Sequence, residues 1–139
     1  MNLEPFVIIP EQLRAVTRTF RESGFVTWDA ALQPDFFGAL LIESHRQRRE
    51  AFWVDWLTDQ NGTVLKNGIR GYVGRCARIL LFSPGTRQLL KELTGQTLVP
   101  SWNASCYTYY GHSGSLLAKH VDKPDECFVT ILKIGRAHV

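Results

Sequence analysis

The chain has 139 residues, 45% of them hydrophobic, which is enough apolar material for one core and for one domain or most of one. Its net charge of +3 is too small to indicate a nucleic acid or a membrane surface as partner, and we expect neither. Three cysteines without a CxxC pair or a signal peptide argue against a disulfide framework, so a reducing, cytoplasmic location is expected.

Two helices are predicted in the first third of the chain. Pro10 opens the first and Gly24 ends it, with apolar residues at helical spacing between them, namely Leu13, Val16 and Phe20. The run FVTW at residues 25–28 then predicts a strand. Pro34 opens the second helix, whose apolar residues are expected to point inward, namely Phe37, Leu40 and Leu41.

The second helix ends in a cationic cluster formed by His45, Arg46, Arg48 and Arg49. These side chains suit a solvated helix face at the negative end of the helix dipole, which we favour over a binding site for an acidic partner.

The middle of the chain carries aromatic residues and turn signals. The aromatic residues are Phe52, Trp53 and Trp56, and the spacing of the two tryptophans favours core packing on a helix over a substrate groove. Turns are predicted at Asn61 and Gly62 and again at Asn67 and Gly68. ILLF at residues 79–82 predicts a strand. Ser83 and Pro84 predict the start of a helix over residues 86–93, and Gly95 its end.

The richest stretch follows. A tyrosine-rich strand runs into Tyr110, a glycine-rich and serine-rich turn comes next, and a second strand then carries His120, Val121 and Asp122 as an HxD triplet. Side chains at i and i+2 leave the same face of a strand, so His120 and Asp122 can reach one metal ion. An imidazole and a carboxylate suit Fe(II) or Mn(II), and one further histidine would complete a facial triad with open positions.

Residues 110–124, YGHSGSLLAKHVDKP, resemble the Fe(II)- and 2-oxoglutarate-dependent dioxygenases, especially their prolyl hydroxylase-like branch. The resemblance extends upstream over residues 89–111, where a helix, an LxG stop, a VPS step and a tyrosine-rich strand recur in the family's order. It implies a double-stranded β-helix, or jelly-roll, buttressed by N-terminal helices and so of the α+β class. It also implies a hydroxylase that uses iron, 2-oxoglutarate and O2 on an unknown protein or small-molecule substrate.

The resemblance assigns roles to three residues. His120 and Asp122 match the family's first two iron ligands, and Tyr110 matches the tyrosine that hydrogen-bonds the 2-oxoglutarate carboxylate. Tyr107 and Tyr109 are expected on the opposite face of their strand. The family's distal histidine and the basic residue that binds the far carboxylate find no counterpart here.

The last six residues, IGRAHV, read as a common sequencing adapter translated in one frame. We therefore expect residues 1–133 to be the N-terminal part of an oxygenase domain and residues 134–139 to be a non-native read-through tail. His138 is then not the missing ligand, and this chain is expected to be an inactive fragment of an active parent protein.

Two other functions fit the same residues. A cupin-type metalloenzyme, which needs no 2-oxoglutarate, would use the approximate GxxxxxHxDxxxE spacing of Gly114, His120, Asp122 and Glu126. A non-catalytic jelly-roll binding module would need no metal.

Overall fold

In the computed structural model, which describes residues 4–59, 62–101, 105–110, 116, 117 and 131, the chain is an α+β protein, as predicted. The described elements are, in order, α1 (Pro10–Ser23), α2 (Pro34–Arg49), β1 (Phe52–Asp59), β2 (Gly62–Gly71), α3 (Arg75–Phe82), α4 (Pro84–Thr94), β3 (Tyr107–Tyr109) and β4 (Leu116–Leu117). Within these ranges, no helix combines the length and the apolar character that crossing a membrane requires.

Helix α1 begins and ends where the sequence predicts. Pro10 lies in its first turn, and Gly24 ends it in the left-handed conformation (φ 72°), which places its N–H 2.7 Å from the Phe20 carbonyl oxygen. The predicted apolar face packs against a core formed by Phe6 and by Leu89 and Leu93 of α4. Arg21 extends this contact, because its guanidinium donates to the carbonyl oxygens of Glu92 and Leu93 at the end of α4.

The strand predicted at residues 25–28 is wrong. These residues pair with no strand in the described part of the chain, and Phe25 is 69% exposed. The pairing lies a few residues later. There the Val7 N–H donates to the Ala31 carbonyl oxygen and the Gln33 N–H donates to the Pro5 carbonyl oxygen, each at a distance of 2.8 Å. A short apolar run forms a strand only when a neighbouring segment supplies hydrogen bonds, and the N-terminal segment supplies them to residues 31–33 instead.

Helix α2 begins at Pro34 as predicted, but its buried face is rotated by about one residue. Leu40 is buried as expected, whereas Phe37 and Leu41 are 38% and 42% exposed. The buried residues are Phe36, Leu40 and Glu43, at i, i+4 and i+7. Because apolar residues occupy most of the first two turns, helical periodicity alone could not choose between the two stripes. The four cationic residues of the cluster are all exposed, as predicted.

Strands β1 and β2 form an antiparallel pair, with Phe52 opposite Arg70 at one end and Asp59 opposite Gly62 at the other. Of the turn predicted at Asn61 and Gly62, Gly62 is the first residue of β2, and Asn61 lies outside the described residues. The second predicted turn is wrong, since residues 67 and 68 lie inside β2. Trp53 and Trp56 lie on β1 and not on a helix, and Trp53 is 55% exposed.

Helices α3 and α4 follow the hairpin directly. The strand predicted at residues 79–82 is wrong, because ILLF forms the second half of α3; a run of four apolar residues fits either structure. Helix α4 is confirmed. The Ser83 side chain accepts a hydrogen bond of 3.0 Å from the Thr86 N–H, and Gly95 ends the helix with φ 72°.

Strands β3 and β4 both pair antiparallel with β2, along the edge that β1 does not occupy. They therefore run in the same direction. Ile69 lies opposite Tyr109 and Leu65 opposite Leu117. Helix α2 packs on one face of this sheet. Gly71 allows the close approach, since a Cβ there would lie 3.2 Å from the Gln47 carbonyl oxygen and from the Tyr109 ring. The described strands thus form one sheet, and the jelly-roll stays a prediction.

Candidate functional site

The two faces of strand β3 have different surroundings. Tyr107 and Tyr109 both point to α2. The Tyr107 hydroxyl donates a hydrogen bond of 2.8 Å to the Glu43 carboxylate, and the Tyr109 hydroxyl donates one to the Ser44 carbonyl oxygen. Their rings stack with centroids 6.4 Å apart, and the Arg48 guanidinium lies 5.7 Å from the centroid of the Tyr109 ring. The prediction that these two tyrosines share a face is confirmed.

Glu43 is the centre of a buried polar cluster that the sequence did not reveal. Its side chain is 8% exposed, and its carboxylate accepts hydrogen bonds from the backbone N–H groups of Gly74 (3.2 Å), Ala77 (3.0 Å) and Cys76. These are orphan donors of the first turn of α3, whose own N-cap residue has no side chain to satisfy them. A carboxylate from α2 therefore caps α3 and, through Tyr107, also holds β3.

Gly74 is required by this arrangement. A Cβ at position 74 would lie 2.6 Å from the Glu43 carboxyl carbon, a separation that packed atoms do not tolerate. The glycine thus leaves room for the carboxylate beside the N-terminus of α3. The signal that could have identified Glu43 is its position in the stripe of Phe36 and Leu40, where an acidic residue faces the protein interior.

The cluster has a fixed protonation state at neutral pH. Burial opposes ionisation of Glu43, but the hydrogen bonds from Ala77, Cys76 and Tyr107 outweigh it, so the pKa of Glu43 is lowered. Burial, followed by the hydrogen bond to Glu43, strongly raises the pKa of Tyr107. Burial and the negative charge of Glu43 also raise the pKa of the Cys76 thiol. An ionised acid bonded to a neutral phenol suits positioning, not proton transfer at pH 7.

The opposite face of the sheet carries Arg70 and Thr108, which lie directly across from each other on β2 and β3. Cys106 shares this face, since its sulfur lies 3.6 Å from the Thr108 hydroxyl. Tyr110 follows β3 directly and is 51% exposed. The pKa of Tyr110 is raised by partial burial and by Cys106, and the positive charge of Arg70 opposes this rise. Cys76 and Cys106 are free thiols.

The predicted metal ligands His120 and Asp122 lie outside the described residues, as do Gly114 and Glu126 of the cupin-type alternative. Within the described residues, no three histidine, cysteine, aspartate or glutamate side chains are grouped as a metal site would require. Tyr110 is the residue with a predicted role that belongs to the described part of the chain.

A separate open groove of about 640 Å³ lies between α1 and α4. Three arginines of α1 line it, and Arg21 among them already binds the end of α4; two glutamates, Glu22 and Glu92, offset their charge. None of the residues with a predicted role lines this groove.

Comparison of the chain with protein-family models, curated proteins and solved structures gives no significant match. The family resemblance therefore depends on residues 89–124 of the sequence.

Proposed function

We propose that this chain is part of the catalytic domain of an Fe(II)- and 2-oxoglutarate-dependent oxygenase with a double-stranded β-helix fold. The observation that carries the proposal is the spacing between Tyr110 and the HxD triplet of His120 and Asp122, within a strand, turn and strand order. The donor set, one imidazole and one carboxylate, fits Fe(II), and a third ligand would complete its facial triad.

Two features of the fold support the proposal. Helix α2 covers one face of an antiparallel sheet, which is the buttressing role that such a fold gives to its N-terminal helices. Tyr110 belongs to the other face, against which a second sheet would pack in a double-stranded β-helix. That face would then line the pocket between the sheets.

Iron, 2-oxoglutarate and O2 together would supply the oxidising chemistry, in which a substrate C–H becomes C–OH while 2-oxoglutarate becomes succinate and CO2. The protein's own residues would bind and orient. His120 and Asp122 would hold the metal, and the Tyr110 hydroxyl would hydrogen-bond a carboxylate of the co-substrate. We further propose that the 139-residue chain itself does not turn over, because no residue matches the distal histidine or the basic residue after it.

Titration of the chain with Mn(II) tests the metal site. We expect weak binding that His120→Ala or Asp122→Ala abolishes, since a two-ligand site cannot lose either donor, and that His45→Ala leaves intact. His45 is an exposed histidine on α2 and serves as the matched control. Equal affinity in all four proteins would remove the metal site.

The same titration separates the cupin-type alternative. Glu126→Gln should leave Mn(II) affinity unchanged in an oxygenase and should weaken it in a cupin, where Glu126 would be a ligand. Sustained, His120-dependent release of succinate from 2-oxoglutarate by the chain would contradict the expected lack of turnover.

A further inference from the structure

The groove between α1 and α4 has a cationic half formed by Arg14 and Arg18, which are exposed and lie one helical turn apart on α1. Among the described residues, neither guanidinium has a hydrogen-bond or ion-pair partner. Like charges one turn apart destabilise a helix slightly, so the stability of α1 does not account for this pair. An anionic group held between the two side chains would relieve their repulsion.

The other half of the groove is acidic. Glu22 of α1 and Glu92 of α4 line it, and the neighbouring Arg21 is already engaged, because it donates to two backbone carbonyl oxygens at the end of α4. Both helices end in this half, and the carbonyl end of a helix attracts cations. The groove is therefore polarised along its length, from Arg14 and Arg18 at one end to the two glutamates at the other.

The dimensions of the groove suit a short peptide. Its volume of about 640 Å³ lies within the range of roughly 300–1,000 Å³ that is usual for ligand sites. Leu13 and Thr17 line it beside the two arginines and offer an apolar surface and a hydroxyl. Arg14 and Glu22 are eight residues apart on the helix, or about 12 Å along its axis, a length that an extended chain covers in about four residues.

The spacing of the charges indicates the pattern of such a peptide. Alternate side chains of an extended chain leave the same face about 6.6 Å apart, close to the separation of about 5–6 Å between Cβ atoms one turn apart on a helix. Two acidic side chains at alternate positions can therefore reach Arg14 and Arg18, and carboxylates accept forked hydrogen bonds from arginine. A basic side chain two residues further on would reach Glu22.

We propose that the groove between α1 and α4 binds an extended peptide segment in which two acidic residues at alternate positions are followed by a basic residue. A polyanion such as a nucleic acid fits less well, because Glu22 and Glu92 would repel a uniform row of phosphates. The peptide site is independent of the proposed oxygenase chemistry, since its residues bind no metal and none of them belongs to the proposed iron site.

The test is an NMR titration of the 139-residue chain with the capped peptide acetyl-EAEAK-amide. Arg14→Gln and Arg18→Gln should each weaken binding by about threefold to tenfold, because each removes one charge-assisted contact in a partly open groove. Arg87→Gln is the matched control, an exposed arginine of α4 that does not line the groove, and should leave binding unchanged. Amide spectra of each variant report whether the fold is retained.

Peptide variants test the polarity on the wild-type chain, without any change to the protein. The charge-reversed peptide acetyl-KAKAE-amide should bind much more weakly than EAEAK. The peptide acetyl-EAEAE-amide should bind about threefold to tenfold more weakly than EAEAK, because its last residue would meet Glu22. In Glu22→Gln this preference for EAEAK should shrink.

Three results would overturn the proposal. The first is that the wild-type chain does not bind EAEAK. The second is that Arg87→Gln weakens binding as much as Arg14→Gln does, which would indicate attraction by the overall charge. The third is that EAEAE or a thymidine oligonucleotide binds as tightly as EAEAK, which would assign the groove to polyanions in general.

Discussion

Replacing Glu43 with glutamine should destabilise the protein more than any surface change of the same type. Three of the four hydrogen bonds to Glu43 end on Oε1, from Gly74, Ala77 and Tyr107, and a glutamine oxygen can retain all three. They would lose their charge assistance, about 1 kcal/mol each at most. The fourth donor, the backbone N–H of Cys76, bonds to Oε2 of Glu43. In the glutamine variant it would face the amide NH2, so that two donors would meet.

An unsatisfied buried donor adds about 1–3 kcal/mol, and the terms are not additive, so we expect Glu43→Gln to lower the free energy of unfolding by about 2–4 kcal/mol at pH 7. Urea denaturation followed by circular dichroism measures this value. Glu50→Gln, at the exposed end of the same helix, is the control and should change stability by less than about 0.5 kcal/mol.

The pH dependence gives a second, independent readout. The pKa of Glu43 in the folded protein lies below its ordinary value of 4.5, so its stabilising effect is complete above that value. The effect is lost as the pH falls through the lowered folded pKa. The difference between wild type and Glu43→Gln should therefore be widest near pH 7 and should shrink below pH 4.5. A difference that is absent at pH 7, or that is equally large at pH 3, would refute the role of the carboxylate.

Two further predictions concern the partners of Glu43. Gly74→Ala should lower the free energy of unfolding by about 1–3 kcal/mol, because its Cβ would displace the carboxylate of Glu43. Gly38→Ala changes a helical position with nothing within 4 Å, so it should be neutral or raise the free energy of unfolding by up to about 1 kcal/mol. Equal effects of the two variants in urea denaturation would contradict the close approach at Gly74. Tyr107→Phe should cost about 1.5–3 kcal/mol, because its hydroxyl donates to a charged group, and Tyr109→Phe, which loses a bond to a neutral carbonyl, about 0.5–1.5 kcal/mol. In the Glu43→Gln background the cost of Tyr107→Phe should fall, and full additivity in this double-mutant cycle would argue against the pairing.

Helix ends were predictable because their signals are local. Pro10, Gly24, Pro34, Ser83 and Gly95 each fix backbone geometry or satisfy a donor within a few residues, and all five mark a boundary of a helix. Apolar runs were less informative. Residues 25–28 and 79–82 look alike in sequence, yet neither forms a strand, because a strand depends on a partner whose position a single run does not specify.

The hydrogen-bond partners of Glu43 lie beyond the reach of local patterns for the same reason. Its partners Ala77 and Tyr107 are 34 and 64 residues away in the sequence. Arg70 is similar, because its place opposite Thr108 is set by a strand pairing across more than thirty residues. The resemblance that located Tyr110 could not have located either of them.

The buried carboxylate of Glu43 and Tyr110, the proposed co-substrate residue, are connected through strand β3. Side chains alternate along a strand, so a shift of one residue in its register would turn Tyr107 and Tyr109 away from α2 and turn Tyr110 towards it. The hydrogen bonds from Tyr107 to Glu43 and from Tyr109 to Ser44 favour a single register, because both hydroxyls would otherwise lose their acceptors. That register is also the one that presents Thr108 and Tyr110 on the face of Arg70. In the proposed oxygenase, Glu43 would therefore position Tyr110 from the opposite side of the sheet, through the register of β3.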